Sequence, residues 1–352
     1  MRRGFFGLVV LLAALLLSGR VEAQDFIRYY PPAGVPATGG TFTGSLHIPQ
    51  GTSIIVDGSG TITAFGYQSL LANTTGLYNT GFGYRTLYAN TGGTHNVAVG
   101  LNAMLSGTGA SQNVAVGSYA LRDTTGENNV GIGYEALKVN TSGSWNVAIG
   151  YLALNANLTG GSNVAIGDEP MFKNVDGINN TAIGARALYE NITGDANTAI
   201  GLYALKNNTN SGNTAVGYQS LVTNGAGIFN TAIGGDALNA NTSGDNNTAI
   251  GHEAGYSPAG VEANANTTGH ENTYIGRRTG ANSTTQRANT TVIGYAALST
   301  ADNQVSLGNA SVTSLLFGGT AGLTGDVVVK GSDGNNCTLT FKGGLLTVET
   351  CP

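Results

Sequence analysis

The chain has 352 residues, of which 55 are glycine and 7 proline, with 10% charged side chains and a net charge of −5. Hydrophobic residues make up 41%, too many for an intrinsically disordered chain, and glycine does not recur at every third position as collagen requires. The acidic balance and the lack of polybasic runs argue against nucleic-acid binding.

Residues 1–23 read as a secretory signal peptide. Arg2 and Arg3 form its charged start, Phe5 to Leu17 is apolar, and Val21, Glu22 and Ala23 precede a cut at Gln24. The alternative is an uncleaved anchor, although the apolar run is short for crossing a bilayer. General secretory and twin-arginine export both remain open, and the mature chain is expected to be secreted, at the cell surface or periplasmic. Residues 24–60 predict a linker followed by an N-terminal β cap: Tyr29, Tyr30, Pro31 and Pro32 are linker-like, and apolar and polar residues alternate from Thr41.

Residues 61–308 form a tandem repeat. The motif Asn-(Thr/Val)-Ala-(Ile/Val)-Gly recurs, and its closing glycines include Gly100, Gly150, Gly184, Gly201, Gly234 and Gly251. The interval is constant from Gly66 to Gly251, except that it contracts by one position before Gly133 and before Gly217. It then lengthens markedly to Gly276, returns almost to the common value at Gly294 and shortens to Gly308. Each unit continues through a small-Leu pair, such as Ala187-Leu188, to a polar turn such as Asn191-Ile-Thr-Gly194. Short Val-, Ile- and Thr-rich runs between Asn and Gly are strand signals, and breakers this frequent leave no room for a helix. The period predicts an all-β fold, a parallel β-solenoid of about 17-residue coils with two short strands and two turns each. Coils would stack at about 4.8 Å, with asparagines bonding along the stack.

Adjacent strand residues point to opposite faces, so Ala and Ile of one motif cannot share a side. If Ala fills the thin interior, the row Val99, Val116, Ile132, Ile149, Ile166, Ile183, Ile200, Val216, Ile233 and Ile250 faces outward. Monomers rarely expose so long an apolar row, and self-association would cover it. The alternative places that row inside and Ala outside.

The Asn-Thr-Ala-Ile-Gly units with their following Ala-Leu pairs, over roughly residues 61–308, resemble the head repeats of trimeric autotransporter adhesins (YadA-like heads) and repeats of phage-tail-like and surface fibre proteins. The resemblance implies a left-handed parallel β-roll, a homotrimer, and adhesion or fibre building. The present repeat is longer than that of the adhesin heads, and no coiled-coil stalk or anchoring barrel is evident after it.

Residues 309–352 predict a closing coil and a small β-rich tail. Cys337 and Cys351 are expected to pair in an exported protein, worth about 3 kcal/mol in the chain-entropy account; free thiols are the alternative. The long step from Gly251 to Gly276 holds an insertion with Tyr256, Pro258 and Val261, a candidate binding loop because solenoid insertions gather on one face. His252 and His270 flank it, but nothing fixes a metal geometry. No paired carboxylates, nucleophile elbow or phosphate loop emerges from the repeat. The reading is therefore a non-catalytic structural or adhesive protein without cofactor or metal. Its partners would be further copies of itself and an unknown surface, matrix or glycan ligand. An ice- or carbohydrate-binding solenoid is the alternative, suggested by the row Thr181, Thr198, Thr214, Thr231 and Thr248, and a tailspike-like glycan-active protein is the third reading.

Overall fold

The computed structural model describes residues 46–48, 52–56, 62–256, 265–281, 286–309, 311, 326–330, 336–342 and 345–348. The chain divides into two units, Met1–Leu307 and Gly308–Pro352.

The first unit is a parallel β-solenoid. From Val97 onward each repeat contributes a three-residue motif strand, such as Thr181–Ile183, Thr198–Ile200 and Thr214–Val216. Motif pairs with motif in strict register, Ala182 against Ala165 on one side and Ala199 on the other. Parallel pairing runs unbroken from Ile62–Tyr67 to Val305–Leu307. At the start, Leu46–Ile48 and Thr52–Val56 pair antiparallel and join the sheet through Ile62–Tyr67. This is the N-terminal β region expected from the alternation after Thr41.

Ala fills the interior. Ala98, Ala148, Ala182 and Ala232 have no exposed surface. Facing them across the thin coil stands a file of Leu70, Leu87, Met104, Leu121, Leu137 and their successors to Leu238, each accompanied by a buried small residue such as Ala120 or Ala187. Two adjacent residues, Ala187 and Leu188, thus both point inward, which an extended strand forbids. The backbone explains it. Leu188 has φ 52° and Arg186 φ 53°, and the same two places are left-handed in coil after coil. The second strand expected in each coil is therefore replaced by turns as far as Gly251; after it, Gly280–Ala281 and Leu298–Ser299 do pair as a short second strand. Left-handed φ costs an L-residue roughly 1–2 kcal/mol; the cost is met by hydrogen bonds between coils, such as Leu188 N–H to Ala204 O at 3.1 Å.

Two asparagine files complete the interior. In the first, Asn180 Nδ2 donates to Gly194 O at 2.8 Å, while its Oδ1 accepts the Asn197 N–H at 2.9 Å. In the second, Asn174 Nδ2 donates to Asn157 Oδ1 at 2.8 Å and to Gly177 O at 3.2 Å. Each amide links its own turn to the neighbouring coil. The second file is broken where Gly107 and Thr124 replace Asn; Asn90 Oδ1 is left without a partner there, and Asn140 turns to Thr124 Oγ1 at 3.2 Å. The two shortened coils lose their residue in this same turn, where Gly126 and Asn210 come one position earlier than the usual glycine and their carbonyls still accept from Asn113 and Asn197.

Near the insertion the packing is exchanged rather than lost. The leucine file ends at Leu238, and Gly255 stands next, while Tyr274 replaces Ala in the facing strand. A Cβ on Gly255 would lie 2.8 Å from Leu238 Cδ2 and 2.9 Å from Tyr274 Cδ2, so the ring occupies the space the absent side chain leaves. Burial pushes the Tyr274 phenol up to about 12, with Thr290 opposing. An unfolded phenol ionises near pH 10. Between pH 10 and 12 the unfolded chain has lost this proton and the folded chain keeps it, so stability falls as pH rises through that window, by about 2–3 kcal/mol. Denaturation followed from pH 9 to 12 is expected to show this loss in the wild type, and Tyr274→Phe to remove it.

The second unit contains a three-stranded antiparallel sheet, Asp326–Lys330, Asn336–Lys342 and Leu345–Val348. Cys337 lies opposite Val329 in it. Cys351 and the Cys337 side chain fall outside the described residues, and with them the expected disulfide.

Candidate functional surface

The strand of each coil presents three residues, the middle one inward and the other two outward. In Thr181–Ile183 the Ala is buried, Thr is half-buried and Ile exposed. The row Val99, Val116, Ile132, Ile149, Ile166, Ile183, Ile200, Val216, Ile233 and Ile250 therefore runs along the outside, partly or well exposed at each coil, with Ile183 at 36% and Ile250 at 39%. Phe65 and Phe82 extend it at one end; Ile275, Ile293 and Leu307 extend it at the other. Ala inside and Ile outside is the first of the two arrangements open from the sequence. The reverse is excluded by the burial of every strand Ala.

Alongside runs the residue just before the inner Ala. After Thr63 and Thr80 it is Val in five successive strands (Val97, Val114, Val130, Val147 and Val164) and Thr in the next seven (Thr181, Thr198, Thr214, Thr231, Thr248, Thr273 and Thr291). No charged side chain enters either row. On the far side, beyond the motif glycine, aromatic residues stack coil on coil: Tyr67 on Tyr84 at 5.1 Å between ring centres, and Tyr134 on Tyr151 at 5.7 Å. This aromatic ladder was hidden in the sequence because its members lie a full coil apart and are interrupted by Leu101 and Ser118.

The motif glycines make the strand's exit possible. Gly100, Gly150, Gly184, Gly201, Gly234 and Gly251 have φ between 129° and 136°, a region closed to other residues. A Cβ on Gly184 would lie 2.6 Å from Gly201 O.

Charges occupy the corners and pair along the stack, as in Arg186–Glu169 at 2.7 Å and Lys173–Glu190 at 2.6 Å. Arg278 bonds Glu253 and holds its carboxyl below the usual range. At the turn the acidic residues are structural: Asp195 Oδ1 accepts the Ile178 N–H and Asp245 Oδ1 the Ile228 N–H, both at 2.8 Å. Ser111 and Ser144 do the same for Thr94 and Glu127. His270 Nδ1 accepts the Asp245 N–H at 3.1 Å, whereas His252 sits on another corner beside Glu253. The two histidines that flank the insertion in sequence are thus engaged separately. Among the described residues no group of three or more metal-ligating side chains occurs. Of the candidate loop, Tyr256 is described, its N–H donating to Glu253 O at 3.3 Å; Pro258 and Val261 lie outside the described residues.

The fold and its outer face define a parallel β-solenoid with one continuous, uncharged strand surface. No protein family, curated protein or solved structure matches the chain. Among the described residues no helix is long and apolar enough to cross a membrane.

Proposed function

We propose that this is a non-catalytic, secreted or surface-exposed structural protein whose solenoid mediates attachment or fibre formation. The observation that carries the reading is the outward Ile/Val row, more than ten coils long and free of charge. Such a surface gains by association, at roughly 25 cal/mol per Å² of apolar area removed from water. Because the row repeats at the coil spacing, copies of the same chain fit it in register, and a homotrimer of the kind built by YadA-like heads is the arrangement we favour. Adhesion then follows from multivalency, since a weak contact repeated along several solenoids gives useful avidity.

A second reading, carbohydrate or ice binding, is favoured by one specific observation, the Thr row. The test of a distributed surface is removal of a whole coil. Deleting residues 185–201 joins Gly184 to Leu202 and keeps the phase of strand, corner and turn. The shortened protein is expected to fold and to retain most of its binding to polysaccharide-coated beads and polystyrene. Abolished binding after removal of residues 256–263, with the coil deletion neutral, would instead place function in the insertion.

A further inference from the structure

The change from Val to Thr along the outer face is abrupt, and it is not a packing requirement. Val and Thr are nearly the same shape, and both stand half-buried at this position. The difference is a hydroxyl. One threonine of several turns uses its own: Thr74, Thr91 and Thr141 donate to carbonyls of the next coil at 2.9, 2.8 and 2.7 Å. Within the described residues the hydroxyls of Thr181, Thr198, Thr214, Thr231, Thr248, Thr273 and Thr291 have no partner. A dry interface between copies would leave seven polar groups unsatisfied per chain, a cost that Val avoids in the five preceding coils.

We infer that the outer face is divided. The Val strands, from Val97 to Ile166, are the self-association surface, and the Thr strands, from Thr181 to Ile293, bind an extended neutral polysaccharide. The second half deepens the carbohydrate reading given above, and only the first half rests on self-association. In-register pairing sets the hydroxyls in a straight file at the coil spacing of about 4.8 Å, flanked by the parallel file of Ile methyl groups. An extended glycan offers the complement, hydroxyls along its edges and C–H groups on its ring faces. The bordering row favours a sugar over lattice water. Tyr218, 50% exposed, stands just beyond the motif glycine of a Thr strand, an aromatic surface beside the Ile/Val file on which a sugar ring can stack. An ice lattice has no use for such an aromatic platform.

The experiment uses the mature chain with crystalline cellulose and chitin as probes, and light scattering as an independent readout of assembly. The triple variant Thr214→Val, Thr231→Val and Thr248→Val preserves shape. It is expected to weaken polysaccharide binding about tenfold or more at unchanged assembly mass. The reverse exchange, Val114→Thr, Val130→Thr and Val147→Thr, is expected to weaken assembly. A monomeric wild type whose polysaccharide binding depends on the Thr file would sink the self-association reading and leave the Thr-face inference standing. The inference is overturned if the Thr-to-Val triple binds undiminished, or assembles more tightly than wild type. It is overturned equally if the wild type ignores both polysaccharides, whether or not it shapes ice crystals.

Discussion

Gly184→Ala is expected to destabilise the solenoid by about 4 kcal/mol or more, among the largest effects a single methyl group can have. Two independent causes add. The φ of 131° at Gly184 is accessible to glycine alone. The added Cβ would also meet backbone, Gly201 O at 2.6 Å and Gly201 C at 2.7 Å, which cannot swing aside as a side chain can. Relief would need the next coil to move away, breaking Thr198 pairing with Thr181 and the amide bonds of both asparagine files. Because each coil is stabilised only by its neighbours, the damage should spread from the mutated coil to those stacked on it. Gly109 is the control. No atom lies within 4 Å of its would-be Cβ, so Gly109→Ala is expected to be neutral or to stabilise by roughly 0.5 kcal/mol through the unfolded chain. Urea denaturation of the two variants separates a specific steric requirement from a general preference for glycine.

The contrast also shows what the repeat conveys. A motif glycine recurring once per coil revealed the coil length, the register and the strand, because all three depend on local chain length and on Cβ-free corners. That Ala and Ile face opposite ways followed from the two-residue period of a strand; which of them faces inward was settled only by the burial of Ala. The Ala-Leu limb reads as a second strand because the left-handed φ of Leu188 has no signature in residue type; Leu gives no hint of it, and the requirement comes from the neighbouring coil. The cap roles of Asp195 and Asp245 escaped for a related reason. Their partners, Ile178 and Ile228, lie a full coil away along the chain, so the sequence shows isolated carboxylates where the structure has paired acceptors. The Gly255–Tyr274 exchange was likewise invisible, since the two residues meet only after the insertion has closed. The outer face was half legible. Its Ile/Val row stood out as a period, whereas the meaning of the Val-to-Thr change needed the finding that the strand threonines leave their hydroxyls unbonded.

Val116→Asp and Ile132→Asp have the second large expected effect, and it falls on assembly. Both side chains are more than a third exposed in the single chain, so a carboxylate there remains hydrated and the coil should fold at a cost within about 1 kcal/mol. Placed against the matching row of another copy, the same carboxylate loses its water without gaining a partner. Association is expected to weaken by about a hundredfold or more for each substitution. Ile183→Asp and Ile200→Asp, on the Thr strands, are the control for the divided face. With self-association on the Val strands, they should leave assembly largely intact.

The central claim is that the outward Ile/Val row is a surface for other copies of the chain, and one measurement addresses it directly. Light scattering of the purified mature protein at micromolar concentration gives the mass of the assembly without reference to any ligand. Three chain masses in the wild type, falling to one on Ile132→Asp with the circular dichroism of the coil unchanged, is the predicted result. A stable wild-type monomer at that concentration would contradict the account.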